Sequence, residues 1–383
     1  EGAGAGSSGG GAAGLLLRTS LGMLRRFVTW VRMELLLKPE HDFGAVCLAC
    51  LSLKCAREEA ALTLGALVAR KLPRDALAAL MARLPAAVGA TPPPAYATEA
   101  LLFWRTLAQA VSDLVTVNAP SIAEDDELLS SPAFASYLDL AIGLLAHPSP
   151  RLAADMHLLF FAVYRMRKAR PVGVAQAAAD GGLLGSRVRL VVNAYWPKMV
   201  RPVGLEEGEL DPIFEEEFAD EEDLVSFYGQ LRGQLAGMLR AVAEALPTQA
   251  AAATLEVLAK LLSAHTTPGD SLDDKGRCTT RSTAWQQLEG FSTVFDSVMT
   301  ALPRHALRGS SGDGGQCGAT SAEIVRGLLG WPTRDPLMRC CQLTYLSACR
   351  TVLAAASPDL ADIAAAAAAE AEAVSQWSSR KQL

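Results

Sequence analysis

Cys47 and Cys50 form a C-x-x-C pair, the spacing at which two thiolates grip a zinc ion or cycle through a disulfide. Zinc chemistry needs a second pair at matching distance, and His41 is the one histidine nearby. The two cysteines also share a helical apolar pattern with Phe43, Val46 and Leu51, which assigns them to a core. The adjoining Cys340 and Cys341 are read the same way. The five histidines, His41, His147, His157, His265 and His305, are scattered without the H-E-x-x-H spacing of a metal-binding helix. The cluster Gly312-Asp313-Gly314-Gly315 lacks the Lys-Ser/Thr that completes a phosphate loop, and the G-x-S-x-G spelling at Gly6–Gly10 falls in the Gly/Ser-rich opening run, with no strand pattern before it to make a nucleophile elbow. No catalytic residue, metal or cofactor is expected. The chain reads as one that binds.

Charge is the more informative chemistry. Between Arg165 and Arg201 stand eight basic residues, Arg165, Arg167, Lys168, Arg170, Arg187, Arg189, Lys198 and Arg201, against the single acid Asp180. Such a cluster suits the phosphates of a nucleic acid. Solvated helix ends, where cations offset the helix dipole, make the same pattern. Arg187 and Arg189 lie among Val188, Leu190, Val191 and Val192, so a stem packed on the core is expected for at least one of them. Tyr195 and Trp196 adjoin the cluster at core-like spacing, which favours packing over base stacking. The opposite charge follows at once. Leu205 to Asp223 holds eleven Asp/Glu and no Lys/Arg, and without it the formal charge of −6 would be +5. Glu206, Glu207, Glu209, Asp211, Glu215, Glu216 and Glu217 head this run. It reads either as a solvated loop or as an anionic insert that touches a basic partner or covers the basic cluster.

The elements that must position these charges are helices. Half of the 383 residues are hydrophobic and only 6% are aromatic, with Ala and Leu prominent, a composition suited to helices packed through small side chains. Leu224, Tyr228, Leu231, Leu235, Met238, Val242 and Ala245 alternate at four and three residues, behind Asp220, Glu221, Glu222 and Asp223, which suit a helix N-terminus. Similar stripes run through Leu101, Trp104, Ala108, Val111 and Val115; Phe134, Leu138, Ala141 and Leu145; Leu152, Met156, Leu159 and Val163; and Leu288, Phe291, Phe295, Val298 and Leu302. No alternating strand pattern is evident.

The helices come in pairs. Ser131–Ala146 and Arg151–Lys168 flank the turn His147-Pro148-Ser149-Pro150, and Arg334-Asp335-Pro336 opens another helix in the same manner. The length exceeds one ordinary core, so an all-α array is expected: an α-solenoid of HEAT-like antiparallel helix pairs over 14–378, with a flexible linker at 1–13 and a tail at 379–383. Long inserts are placed near 172–185, 203–219, 265–283 and 304–321. The opening Gly/Ser-rich run has no signal-peptide order, and the chain reads as a fragment. The eight cysteines do not make a disulfide scaffold, so a reducing compartment is expected. No run of about 18 apolar residues is unbroken, so no membrane insertion is expected.

Four blocks carry a family resemblance. Phe218–Pro247, an acidic run leading into an aromatic-bearing helix, resembles the exportin-5 (Hasty) family of karyopherins. Ser131–Arg165 is similar to that family's helix, His-Pro-Ser turn and following helix. Trp285–Leu302 and Leu328–Leu353 resemble two further helices in the same order, and Asp42–Ala60 is a fainter match. Leu288 departs by standing where the family has an aromatic. The resemblance implies a nuclear export receptor that binds double-stranded or hairpin RNA, such as a microRNA precursor, together with Ran-GTP. Nuclear pore proteins would be further partners, and the protein would shuttle between nucleus and cytoplasm. The hydrolysis would be Ran's, so no enzyme is expected, and the main Ran contacts would lie in repeats preceding this stretch. An A-form duplex is read through phosphates, sugars and shape, which needs dispersed Lys/Arg and no compact motif. A protein-cargo exportin and a static HEAT scaffold are the alternatives.

Overall fold

The computed structural model describes residues 9–38, 40–89, 100–169, 182–203, 212–265, 270–302, 323, 325–331, 333 and 335–356. The described residues are all-α. Their only β feature is an isolated bridge between Leu272 and Cys278. The chain divides into two compact units, 1–177 and 178–383.

The first unit holds α1 (Gly9–Val28), α2 (Met33–Leu36), α3 (Phe43–Leu51), α4 (Arg57–Val68), α5 (Arg74–Val88), α6 (Leu101–Ala123), α7 (Asp126–Leu129), α8 (Pro132–Leu145) and α9 (Pro150–Ala169). Helices α1, α4, α6 and α9 lie in one row, each packed on the next, while α3, α5 and α8 form a second row against it. This is the two-row stacking of helical hairpins in a repeat protein, where each pair buries its apolar face only against its neighbours. Residues 9–13, expected as linker, are the first turns of α1. Extending an existing helix costs far less than starting one.

The α8–α9 hairpin shows how sequence sets the local structure. Ser131 caps α8 by accepting the Phe134 amide at 3.1 Å, and Pro132 occupies the first turn. Phe134, Leu138, Ala141 and Leu145 are all buried, as their spacing requires. In the turn, the Ser149 amide donates to His147 Nδ1 at 3.1 Å, and Ser149 Oγ accepts the Leu152 amide to cap α9. The Tyr137 hydroxyl, wholly buried, donates to the Val111 carbonyl on α6 and so ties the two rows.

The second unit holds α10 (Val188–Tyr195), between short 3₁₀ turns at Gly185–Arg187 and Trp196–Met199, then α11 (Pro212–Glu217), α12 (Glu221–Ala245), α13 (Pro247–Ala264), α14 (Thr283–Ala301) and α15 (Pro336–Ala356). Helices α12, α14 and α15 pack side by side, and α10 packs on α13. Asp220 caps α12 by accepting the Asp223 amide at 2.8 Å. Of the seven stripe residues of this helix, six are buried and Ala245 is half-buried. Within the expected insert near 203–219, 212–217 is helical, because Ile213 and Phe218 bury at either end of it. Within the insert near 265–283, Asp273 accepts the Lys275 and Arg277 amides, each at 2.9 Å, around Gly276 at φ +70°. Asp335 closes its turn by accepting the Leu337 and Met338 amides at 2.9 and 3.1 Å. Its other carboxylate oxygen accepts the Cys278 amide.

Cys47 and Cys50 lie on the buried face of α3, although Val46 is exposed. Burial pushes the Cys47 thiol up to about 12, far from a reactive thiolate. The pairing of Cys340 with Cys341 in the core needs correction: Cys341 is buried and Cys340 is exposed. Neighbours on a helix point about 100° apart, so one core face cannot hold both.

Candidate nucleic-acid interface

In the first unit, Arg165 is exposed near the end of α9, its guanidinium over the Phe161 ring at 4.6 Å. Stacking of this kind holds the cation in place while leaving its edge available to an anion. Arg167 and Lys168 occupy the last turn of α9, and Arg170 lies outside the described residues. Cations there also complement the helix dipole.

In the second unit the basic residues differ sharply from one another. Arg187 is half-buried and donates to the Leu183 carbonyl at 3.1 Å. Arg189 projects from α10 and pairs with Glu256 at 2.5 Å while remaining 61% exposed, and Glu256 also accepts from Lys260 at 2.7 Å. The hydrogen bond from Lys260, backed by the charge of Arg189, holds the Glu256 carboxyl below its usual range. Arg201 is half-buried. Lys198 is buried, with 8% exposure. Burial lowers its ammonium to about 8, with the charge of Glu217 acting in the opposite sense. A phosphate cannot reach that nitrogen in this arrangement. Tyr195 is wholly buried and Trp196 packs edge-on against Phe291 at 5.9 Å, so both rings serve the core.

Of the acidic residues, Glu206, Glu207, Glu209 and Asp211 lie outside the described residues. Glu215 and Glu216 are exposed on α11, and Glu217 is half-buried on the side that faces Lys198 electrostatically. The charge of one member of the anionic run thus acts on one member of the basic cluster.

Sequence reasoning missed the brace beneath these residues. Arg232 on α12 donates twice to the Glu289 carboxylate on α14, both at 2.8 Å, and its Nε donates to the Met199 carbonyl at 2.8 Å. A bidentate pair of this kind fixes direction as well as distance. Directly beside it, Gly290 brings α14 onto the 196–200 turn: a Cβ there would stand 2.9 Å from Val200 Cα and 3.0 Å from the Met199 carbonyl. The weak sequence signal was an arginine next to a core position of α12, at Leu231.

No cluster of three or more metal-ligating side chains occurs among the described residues. None of their helices is long and apolar enough to cross a membrane. Fold and surface together define the class: an all-α helical-repeat protein with cations at helix ends. No family model matches the chain. It is similar to mouse (Mus musculus) exportin-5, with 25% identity over 258 residues, 64% of this chain and 20% of that protein. The chain therefore spans about a fifth of the length of the curated relative it matches, and its relation to an exportin is a distant one.

Proposed function

We propose that this chain is part of a nuclear export receptor, a carrier without catalysis of its own, which binds structured small RNA together with Ran-GTP and moves between nucleus and cytoplasm. The observation that carries this reading is the likeness to an exportin on a fold built of stacked helix hairpins. Such a fold grips by surface, and a duplex is held mainly through its phosphates. Arg165 is the exposed guanidinium best placed to supply contacts, with Arg167, Lys168, Arg170, Arg189 and Arg201 as supporting candidates.

A second reading, protein cargo in place of RNA, is favoured by one observation: Arg187, Arg189 and Lys198 are engaged within the fold. One experiment separates the two. The full-length protein is titrated with a hairpin RNA bearing a short 3′ overhang, with and without Ran-GTP, across a salt series. On the RNA reading Ran-GTP tightens binding, and affinity falls steeply with salt. Reversing the charges of Arg165, Arg167, Lys168 and Arg170 weakens it by about tenfold or more. Capture of folded proteins without RNA supports the second reading, and indifference to Ran-GTP returns the protein to a static scaffold.

A further inference from the structure

A cavity of about 390 Å³ lies between α5 and α8, neighbours in the second row, with Trp104 of α6 in its wall. That is the size of a small-ligand site. Repeats touch only their neighbours, so helices added before α1 lengthen the rows at their ends and leave this seam as it is. Pro85, Val88 and Leu140 make much of the lining apolar.

Two features of the wall are polar, and they lie at different depths. Trp104 is buried, with 7% exposure, and its indole N–H meets no acceptor. A buried donor left in that state forfeits a hydrogen bond, which a bound oxygen would restore. Asp139 is exposed on α8 and carries the only formal charge among the described residues that line the cavity. It already makes an interaction of its own, but a carboxylate has about four acceptor positions and can meet more than one donor. Helix α5 ends here as well, for Val88 and the exposed Gly89, at φ +85°, both line the cavity. Its last turn holds no basic residue, so the negative end of the helix dipole, with its orphan carbonyls, is not offset from within the helix. The rim therefore attracts a cation, the walls take an apolar body, and the buried end lacks an oxygen acceptor.

We propose that the cavity between α5 and α8 binds a small organic cation that carries a carbonyl oxygen at the far end of an apolar body. The ammonium sits at the rim beside Asp139 and the end of α5, the body lies against Pro85, Val88 and Leu140, and the carbonyl accepts the Trp104 indole N–H. This site shares no residue with the cations of the RNA reading and is independent of it.

The test uses the chain as it stands and three compounds of one shape: 3-acetylbenzylamine, 3-ethylbenzylamine, which lacks the acceptor, and 3-acetylbenzyl alcohol, which lacks the charge. Binding is followed by the Trp104 indole N–H resonance in nitrogen-15 spectra. The ketone-amine is expected to saturate with a Kd on the order of 1 mM and to move that resonance downfield. Loss of the carbonyl is expected to weaken binding about fivefold, and loss of the charge roughly threefold to fivefold. Asp139→Asn is expected to erase the preference for amine over alcohol, and Trp104→Phe the preference for ketone over ethyl, read there by calorimetry. Should Trp104→Phe fail to fold, the ketone–ethyl comparison in the native chain decides the same point. Ser136→Phe, at an exposed position of the lining, is expected to fill the mouth and abolish binding, with circular dichroism showing that the fold is kept. The proposal is overturned if no compound binds, if all three bind equally, or if binding survives unchanged in Ser136→Phe.

Discussion

Lys198 shows how little a residue's type says about its use. Its ammonium is depressed from 10.5 to about 8, first by burial, so the unfolded chain holds that proton more tightly. The group therefore detracts from stability in full below about pH 8, and the deficit fades as pH rises towards the ordinary lysine range. The penalty is on the order of 3 kcal/mol. Replacing Lys198 by Met together with Glu217 by Gln is expected to raise the urea midpoint at pH 7, with the gain over the native chain shrinking at pH 10. A gain that is the same at both pH values would mean that the buried charge is not its source. Arg232 is the converse case. Arg232→Ala strands a half-buried carboxylate and a carbonyl, and should lower stability by about 2 kcal/mol in denaturant titrations. Sequence placed Lys198 among surface cations and passed over Arg232, because the partners that decide both cases come from other segments. Met199 lies 33 residues from Arg232 in sequence and Glu289 lies 57 away.

Among elements, α12 and α14 carry glycines of opposite meaning. Gly290 sits where a Cβ would meet the backbone of Met199 and Val200, whereas Gly229 and Gly233 have nothing within 4 Å. Alanine is the better helix former by about 1 kcal/mol. Gly233→Ala should therefore raise the melting temperature, while Gly290→Ala should lower stability by about 1–3 kcal/mol as α14 is pushed from the turn. Equal shifts in the two variants would refute the close approach. The helices themselves were legible: the stripes read over 101–115, 134–145, 152–163, 224–242 and 288–302 are buried. Helix α11 was less so, since Pro212–Glu217 is too short for periodicity and is held by Ile213 and Phe218 at its ends.

For the whole molecule, the separation of charge sets the expected behaviour towards a polyanion. If the acidic run opposes RNA, exchanging Glu206, Glu207, Glu209 and Asp211 for their amides will raise RNA affinity several-fold at about 50 mM salt. The gain will vanish near 1 M, where the screening length falls to about 3 Å. An unchanged affinity at low salt would place the run away from the bound RNA.

What the sequence determined by itself is the all-α class, the position of the long helices and the face each one buries. These follow from a period of 3.6 residues and from caps such as Ser131 and Asp220, which act within a few residues of themselves. Only the tertiary structure decided which charges are free. Arg165 stands on an aromatic ring in solvent, Arg189 is tied to a glutamate 67 residues away, and Lys198 is buried close to Glu217. A side chain's solvation and ion partners depend on segments distant in the chain that folding brings together, and no local pattern encodes that meeting.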